Sequence, residues 1–235
     1  MPIDLFSVAG EIRNKVYEEL LSASERIIIE SGPRPPRLYM IAASRLYSAI
    51  LLVNKRANRE ASPLLYSRSQ FEFGIDWPGT EERHETKRLI FASFISQIGL
   101  QNASFLRHLC IPFSASGNHY SPGIVLEENS MSTLKLFRDK CTGITTLNAV
   151  FETITAEMLA VMYTSFSSMP TLKYVNIITY DGLLSDELIE KICNWGWTAE
   201  IVQLDEEDDD YDYESDDDEG YYWRGYDSYS LYDSD

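Results

Sequence analysis

Three six-residue stretches, LRHLCI (Leu106 to Ile111), ITTLNA (Ile144 to Ala149) and LKYVNI (Leu172 to Ile177), carry apolar residues at their first, fourth and sixth positions. Each reads as a strand. Helical patterns fall around them: Ile90, Phe91, Phe94, Ile95 and Ile98 mark one face, and further candidates lie at Ser132 to Lys140, Ala156 to Phe166 and Ser185 to Asn194. A fourth strand candidate, AEIVQL (Ala199 to Leu204), follows the last of these. Strands alternating with helices predict an α/β fold whose parallel strands are joined by right-handed connections.

The repeated spacing resembles the Leu-x-x-Leu-x-Leu core of leucine-rich repeats, where each unit adds one strand and one helix. The asparagine of that motif, three positions beyond the core, is replaced here by Ser114, Glu152 and Tyr180, and the units are unevenly spaced. The resemblance implies a short, degenerate β/α array over residues 76–204. A plain α/β sheet domain is the alternative that the same pattern allows.

Ahead of this array, VAGEIRNKVYEELL opens the chain with Ile12, Val16 and Leu20 at four-residue intervals, extended by Val8 and Leu21. Glu11, Arg13, Asn14, Lys15 and Glu18 take the other side, so an amphipathic helix is expected. The stripe of Val8, Ile12, Val16 and Leu20 should be buried, either on the core of its own chain or on a partner. SGPRPPR (Ser31 to Arg37) then predicts a loop, because its prolines lack backbone donors and disfavour helical geometry in the residues before them. A second helix is expected from the spacing of Leu46, Ile50, Val53, Ala57 and Ala61, with Lys55, Arg56 and Arg59 towards solvent. Pro63 is placed to begin the next turn after Ser62, and the alternation of Gln70 to Phe73 reads as a strand.

This N-terminal region resembles a group of filamentous-fungal proteins with an F-box-like opening. The first helix of that group reads Leu-Pro-x-Glu-Ile-Arg-x-x-Ile-Tyr, matched here by Glu11, Ile12, Arg13 and Tyr17. Its second helix ends in Glu-Ala-x-Pro-Leu-Leu-Tyr-x-x-Asn-x-Phe, matched by Glu60, Ala61, Pro63, Leu64, Leu65, Tyr66 and Phe71. Ala9 stands in place of the proline and Ser69 in place of the asparagine. The resemblance implies a helical F-box-like region over residues 1–75 packed on the array, and a protein-interaction role. Its implied partner is the linker subunit of a cullin–RING ubiquitin ligase, docked through the opening helices.

The net charge of −17 is concentrated in Asp205 to Asp235, where Arg224 is the one base in a run of aspartates, glutamates and tyrosines. Such a composition predicts a disordered acidic tail. Three readings of it remain open: a solubilising appendage, a binder of basic proteins, or a mask over the basic segment that holds Lys55, Arg56 and Arg59. Masking would keep polyanions away, and nucleic acid is not expected as a partner. Ser215, followed by acidic residues at positions 216 to 219, is expected to be phosphorylated by an acidophilic kinase.

The apolar runs are too short to span a bilayer and the N-terminus lacks a signal-peptide pattern, so a cytoplasmic or nuclear protein is expected. The odd, widely spaced Cys110, Cys141 and Cys193 fit reduced thiols. No nucleophile elbow, phosphate-binding glycine loop or calcium loop is present, so neither an enzyme nor a cofactor is expected. His108, Cys110 and His119 could face one another, but their spacing matches no established zinc pattern and a metal site is not expected.

Overall fold

The computed structural model describes residues 5–21, 26–31, 38–42, 47–73, 90–116, 125–180 and 184–202. Residues 1–204 form one unit and Asp205–Asp235 a second; the acidic segment and Ser215 lie outside the described residues.

The first unit is α/β. Its seven-stranded sheet contains β1 (Ile27–Ser31), β2 (Leu38–Ala42), β3 (Gln70–Phe73), β4 (His108–Phe113), β7 (Thr146–Phe151), β8 (Tyr174–Tyr180) and β9 (Thr198–Val202), in the order β2-β1-β3-β4-β7-β8-β9. All but β2 run parallel. A small antiparallel pair, β5 (Ala115–Ser116) and β6 (Val125–Leu126), lies apart from it. The helices are α1 (Gly10–Leu21), the single turn α2 (Ile50–Val53), α3 (Lys55–Arg68), α4 (Ile90–Ala103), α5 (Glu128–Lys140), α6 (Ala156–Ser167) and α7 (Asp186–Asn194).

The repeated pattern of the sequence fills one side of this sheet. Leu109, Leu147 and Val175 are aligned across β4, β7 and β8, and Ile111, Ala149 and Ile177 form the next row. All six are buried in one core with the inward faces of the helices. Leu106 and Ile144, at the first position of the pattern, are buried as well. The units also repeat their backbone bonding: Thr145 and Thr146 N–H donate to the Arg107 carbonyl at 3.0 Å, and Lys173 and Tyr174 N–H donate to the Thr145 carbonyl at 2.9 and 3.0 Å. Each strand is therefore seated on its predecessor before the ladder begins.

Caps and breaks set the helix ends. Ser185 Oγ accepts from Leu188 N–H and Thr155 Oγ1 from Met158 N–H, satisfying orphan donors of α7 and α6. After α7 the chain turns through Gly196 at φ +75°, a conformation glycine adopts without steric cost, and Trp197 N–H closes the turn on the Ile192 carbonyl. Gly99, at φ +77°, interrupts α4 in the same way.

Several expectations are corrected at the N-terminal end. Residues 32–37 of the expected loop lie outside the described residues, but strands not expected from the sequence, β1 and β2, stand before and after them and pair antiparallel. The run of β-branched Ile27, Ile28 and Ile29 favours that strand. Because β1 pairs parallel with β3, residues 1–75 supply strands to the same sheet as the rest and are not helical throughout. The second helix is divided at Asn54, whose extended backbone ends α2 and whose Oδ1 accepts from Arg56 and Ala57 N–H to begin α3. Pro63 lies inside α3 and does not start a new helix.

Candidate interaction surfaces

Helix α1 is held against α3 by a polar clamp built from residues that carry the N-terminal resemblance. Arg13 meets Glu60 with two parallel bonds, Nε to Oε2 at 2.8 Å and Nη2 to Oε1 at 2.7 Å. Arg56 Nε adds a bond to Oε1 at 3.0 Å and the Tyr17 hydroxyl one to Oε2 at 3.2 Å. The remaining Arg13 nitrogen, Nη1, donates to the Val8 carbonyl. Both carboxylate oxygens are thus occupied, which removes much of the cost of placing the Arg13 side chain where it is only 7% exposed. Hydrogen bonding from Arg13, seconded by Arg56 and Tyr17, holds the Glu60 carboxyl down at about 2 against the opposing effect of burial. Burial first, and then Glu60, push the Tyr17 phenol up. A second ion pair, Arg68 to Glu18 at 2.9 Å, joins the C-terminal ends of the same two helices.

This clamp reassigns the faces of α1. Its buried residues are Arg13, Tyr17 and Leu21, so of the apolar set that periodicity selects only Leu21 is fully buried. Ile12 is 54% exposed, while Val8, Val16 and Leu20 are half-buried. Further apolar side chains stand in solvent between α1 and α3: Tyr47 at 49%, Leu52 at 86% and Val53 at 58%. Tyr47 N–H donates to the Leu20 carbonyl at 3.0 Å, tying the approach to α2 to the end of α1. Lys55, Arg56 and Arg59 are exposed as the sequence predicts. Arg56, however, is already engaged by Glu60 and lies over the Phe6 ring, 5.8 Å from its centre.

The second surface is the sheet face opposite the helices. Strand alternation puts Arg26, Glu72, His108, Cys110, Asn148, Asn176 and Glu200 on this side. Arg26 Nη1 bonds Glu72 Oε2 at 3.0 Å. Asn176 Nδ2 bonds Glu200 Oε2 at 2.9 Å, and Thr198 Oγ1 donates to Asn176 Oδ1 at 2.9 Å. On a flat sheet β1 and β9 would lie about 24 Å apart, at about 4.8 Å per strand. Packing the helices on one side bends the sheet away from that flat arrangement, so the opposite face is concave. Helices about 10 Å across, packed behind strands half as far apart, force that curvature.

Within the concavity Cys110, Val150 and Ile178 form a small buried cluster separate from the main core, and among the described residues Val202 is the one that packs on it. Burial pushes the Cys110 and Cys141 thiols up to about 12, which leaves both protonated and unreactive at neutral pH. Burial, aided by the Arg107 charge, lowers His108 and keeps it neutral. Cys110 and His108 share this face, but His119 lies outside the described residues, among which no cluster of His, Cys, Asp or Glu is placed to hold a metal ion. No helix among the described residues is long and apolar enough to cross a membrane. Comparison of the chain with known protein families, characterised proteins and solved structures finds no match.

The clamp and the polar concave face both escape a reading of hydrophobic periodicity. For the clamp, the available signal was the pairing of Arg13 and Tyr17 with Glu60 in the two motif halves. For the concave face it was the polar residues at the fifth position of two units, Asn148 and Asn176.

Proposed function

We propose that the protein is a non-enzymatic interaction module, an F-box-like adaptor of the fungal type its N-terminal region resembles. Its N-terminal helices dock one protein, and the concave face of its leucine-rich-repeat-like array presents a surface to another. The observation that carries this reading is that Ile12, Leu52 and Val53 stand in solvent while the fold satisfies itself through Arg13, Tyr17 and Leu21. Exposed apolar side chains that the core does not use are suited to a partner. The in-register stacking of three strand units supports the array half of the reading.

The direct test is calorimetric titration of the full chain with the purified linker subunit of a cullin–RING ligase, beside the double substitution Ile12→Asp with Leu52→Asp. Binding by the parent chain, lost in the variant with its thermal unfolding unchanged, is the expected result. A parent chain that does not bind the linker overturns the ligase assignment.

A further inference from the structure

We propose that the concave sheet face docks a basic segment of a partner protein, an assignment that rests on reading the array as a partner surface. The charge of the face selects this ligand. Along its strands Glu30, Glu72 and Glu200 supply carboxylates against Arg26, which is already bound to Glu72, while Arg107, just before β4, is engaged by the Ser104 and Leu106 carbonyls. Because His108 is held neutral by burial, it does not offset this balance.

The geometry adds recognition to charge. Glu200 is exposed on the edge strand β9 and is oriented by the Asn176 amide, itself fixed by Thr198. A carboxylate pre-positioned in this way meets an incoming lysine or arginine with little further ordering. Asn148 sits in register between Cys110 and Asn176, half-buried and with no hydrogen-bond partner among the described residues. Its amide offers one acceptor and two donors, the complement of a peptide backbone laid across the strands. Tyr174, 65% exposed at the end of β8, presents an aromatic ring to a cation at the rim. The step from β3 to β9 spans roughly 19 Å, about six residues of extended chain. A polyanion would meet the same carboxylates as repulsion.

The test uses the full chain and two labelled peptides of about eight residues, one alternating lysine with serine and one alternating glutamate with serine, each carrying a photo-crosslinker. Affinity is read by fluorescence anisotropy at about 0.15 M salt, and crosslinked sites are mapped by mass spectrometry. The expected result is that the lysine peptide crosslinks to the strands β3, β4, β7, β8 and β9. Glu200→Lys, an exposed substitution that leaves the fold intact, should weaken it by about tenfold. Lysine-peptide crosslinks confined to Asp205–Asp235, with affinity indifferent to Glu200→Lys, overturn the proposal. Capture of the glutamate peptide on the face overturns the charge assignment and leaves the adaptor reading standing. If neither peptide reaches the face, the basic-segment assignment is overturned, while the linker titration decides the adaptor reading separately.

Discussion

Substituting Leu21 and Ile12 separately by alanine tests which face of α1 the fold uses. Leu21 is 1% exposed within the main core, whereas Ile12 is 54% exposed. Truncating a fully buried leucine removes its transfer free energy and leaves a cavity, so Leu21→Ala should cost about 2–5 kcal/mol. For a folded unit of this size each kcal/mol lowers Tm by about 2–4 °C, which gives a fall of about 4–20 °C. Ile12 keeps roughly half of its surface in water before substitution and its loss opens no cavity, so Ile12→Ala should cost under about 1 kcal/mol. Circular-dichroism melts and urea titrations of the parent and both variants give the comparison. Equal destabilisation by the two substitutions would refute the assignment of Arg13, Tyr17 and Leu21 as the buried stripe, and with it the argument that Ile12 is free for a partner.

Other consequences follow from single sites. Because Glu60 is held near 2 in the fold, below the usual carboxylate range near 4.5, its contribution is present above that range and lost as pH falls towards 2. Glu60→Gln should therefore lower Tm clearly at pH 7, and the gap to the parent should close on acidification; a constant gap would count against the clamp. A Cβ at Gly143 would lie 2.2 Å from the Ser104 carbonyl oxygen, so Gly143→Ala must displace backbone and should melt well below the parent. Cys193 is exposed while Cys110 and Cys141 are buried with raised pKa values. A thiol reagent at mild alkaline pH should label one cysteine in the native chain and all three in urea, and rapid native labelling at Cys110 would contradict its burial beside Val150 and Ile178.

What the sequence shows on its own is the local part of this fold. The first, fourth and sixth positions of three short stretches mark core residues because strand alternation and the turn before it are short-range properties, and the structure buries all of them but the half-buried Leu172, the fourth and sixth in aligned rows. Helices α5, α6 and α7 are legible for the same reason, with Ser185 standing just before α7 as its cap. Strand pairing lies beyond local pattern: β1 and β3 are neighbours through register across a long connection, which makes the N-terminal region part of the sheet. The buried face of α1 was equally out of reach. A periodicity of apolar residues ranks Ile12 above Arg13, since an isolated guanidinium is too costly to bury. Glu60, 47 residues away, reverses that ranking by accepting two of its hydrogen bonds. The sequence determined which residues could be buried, while tertiary structure, by bringing a distant carboxylate to an arginine, decided which face of the helix was.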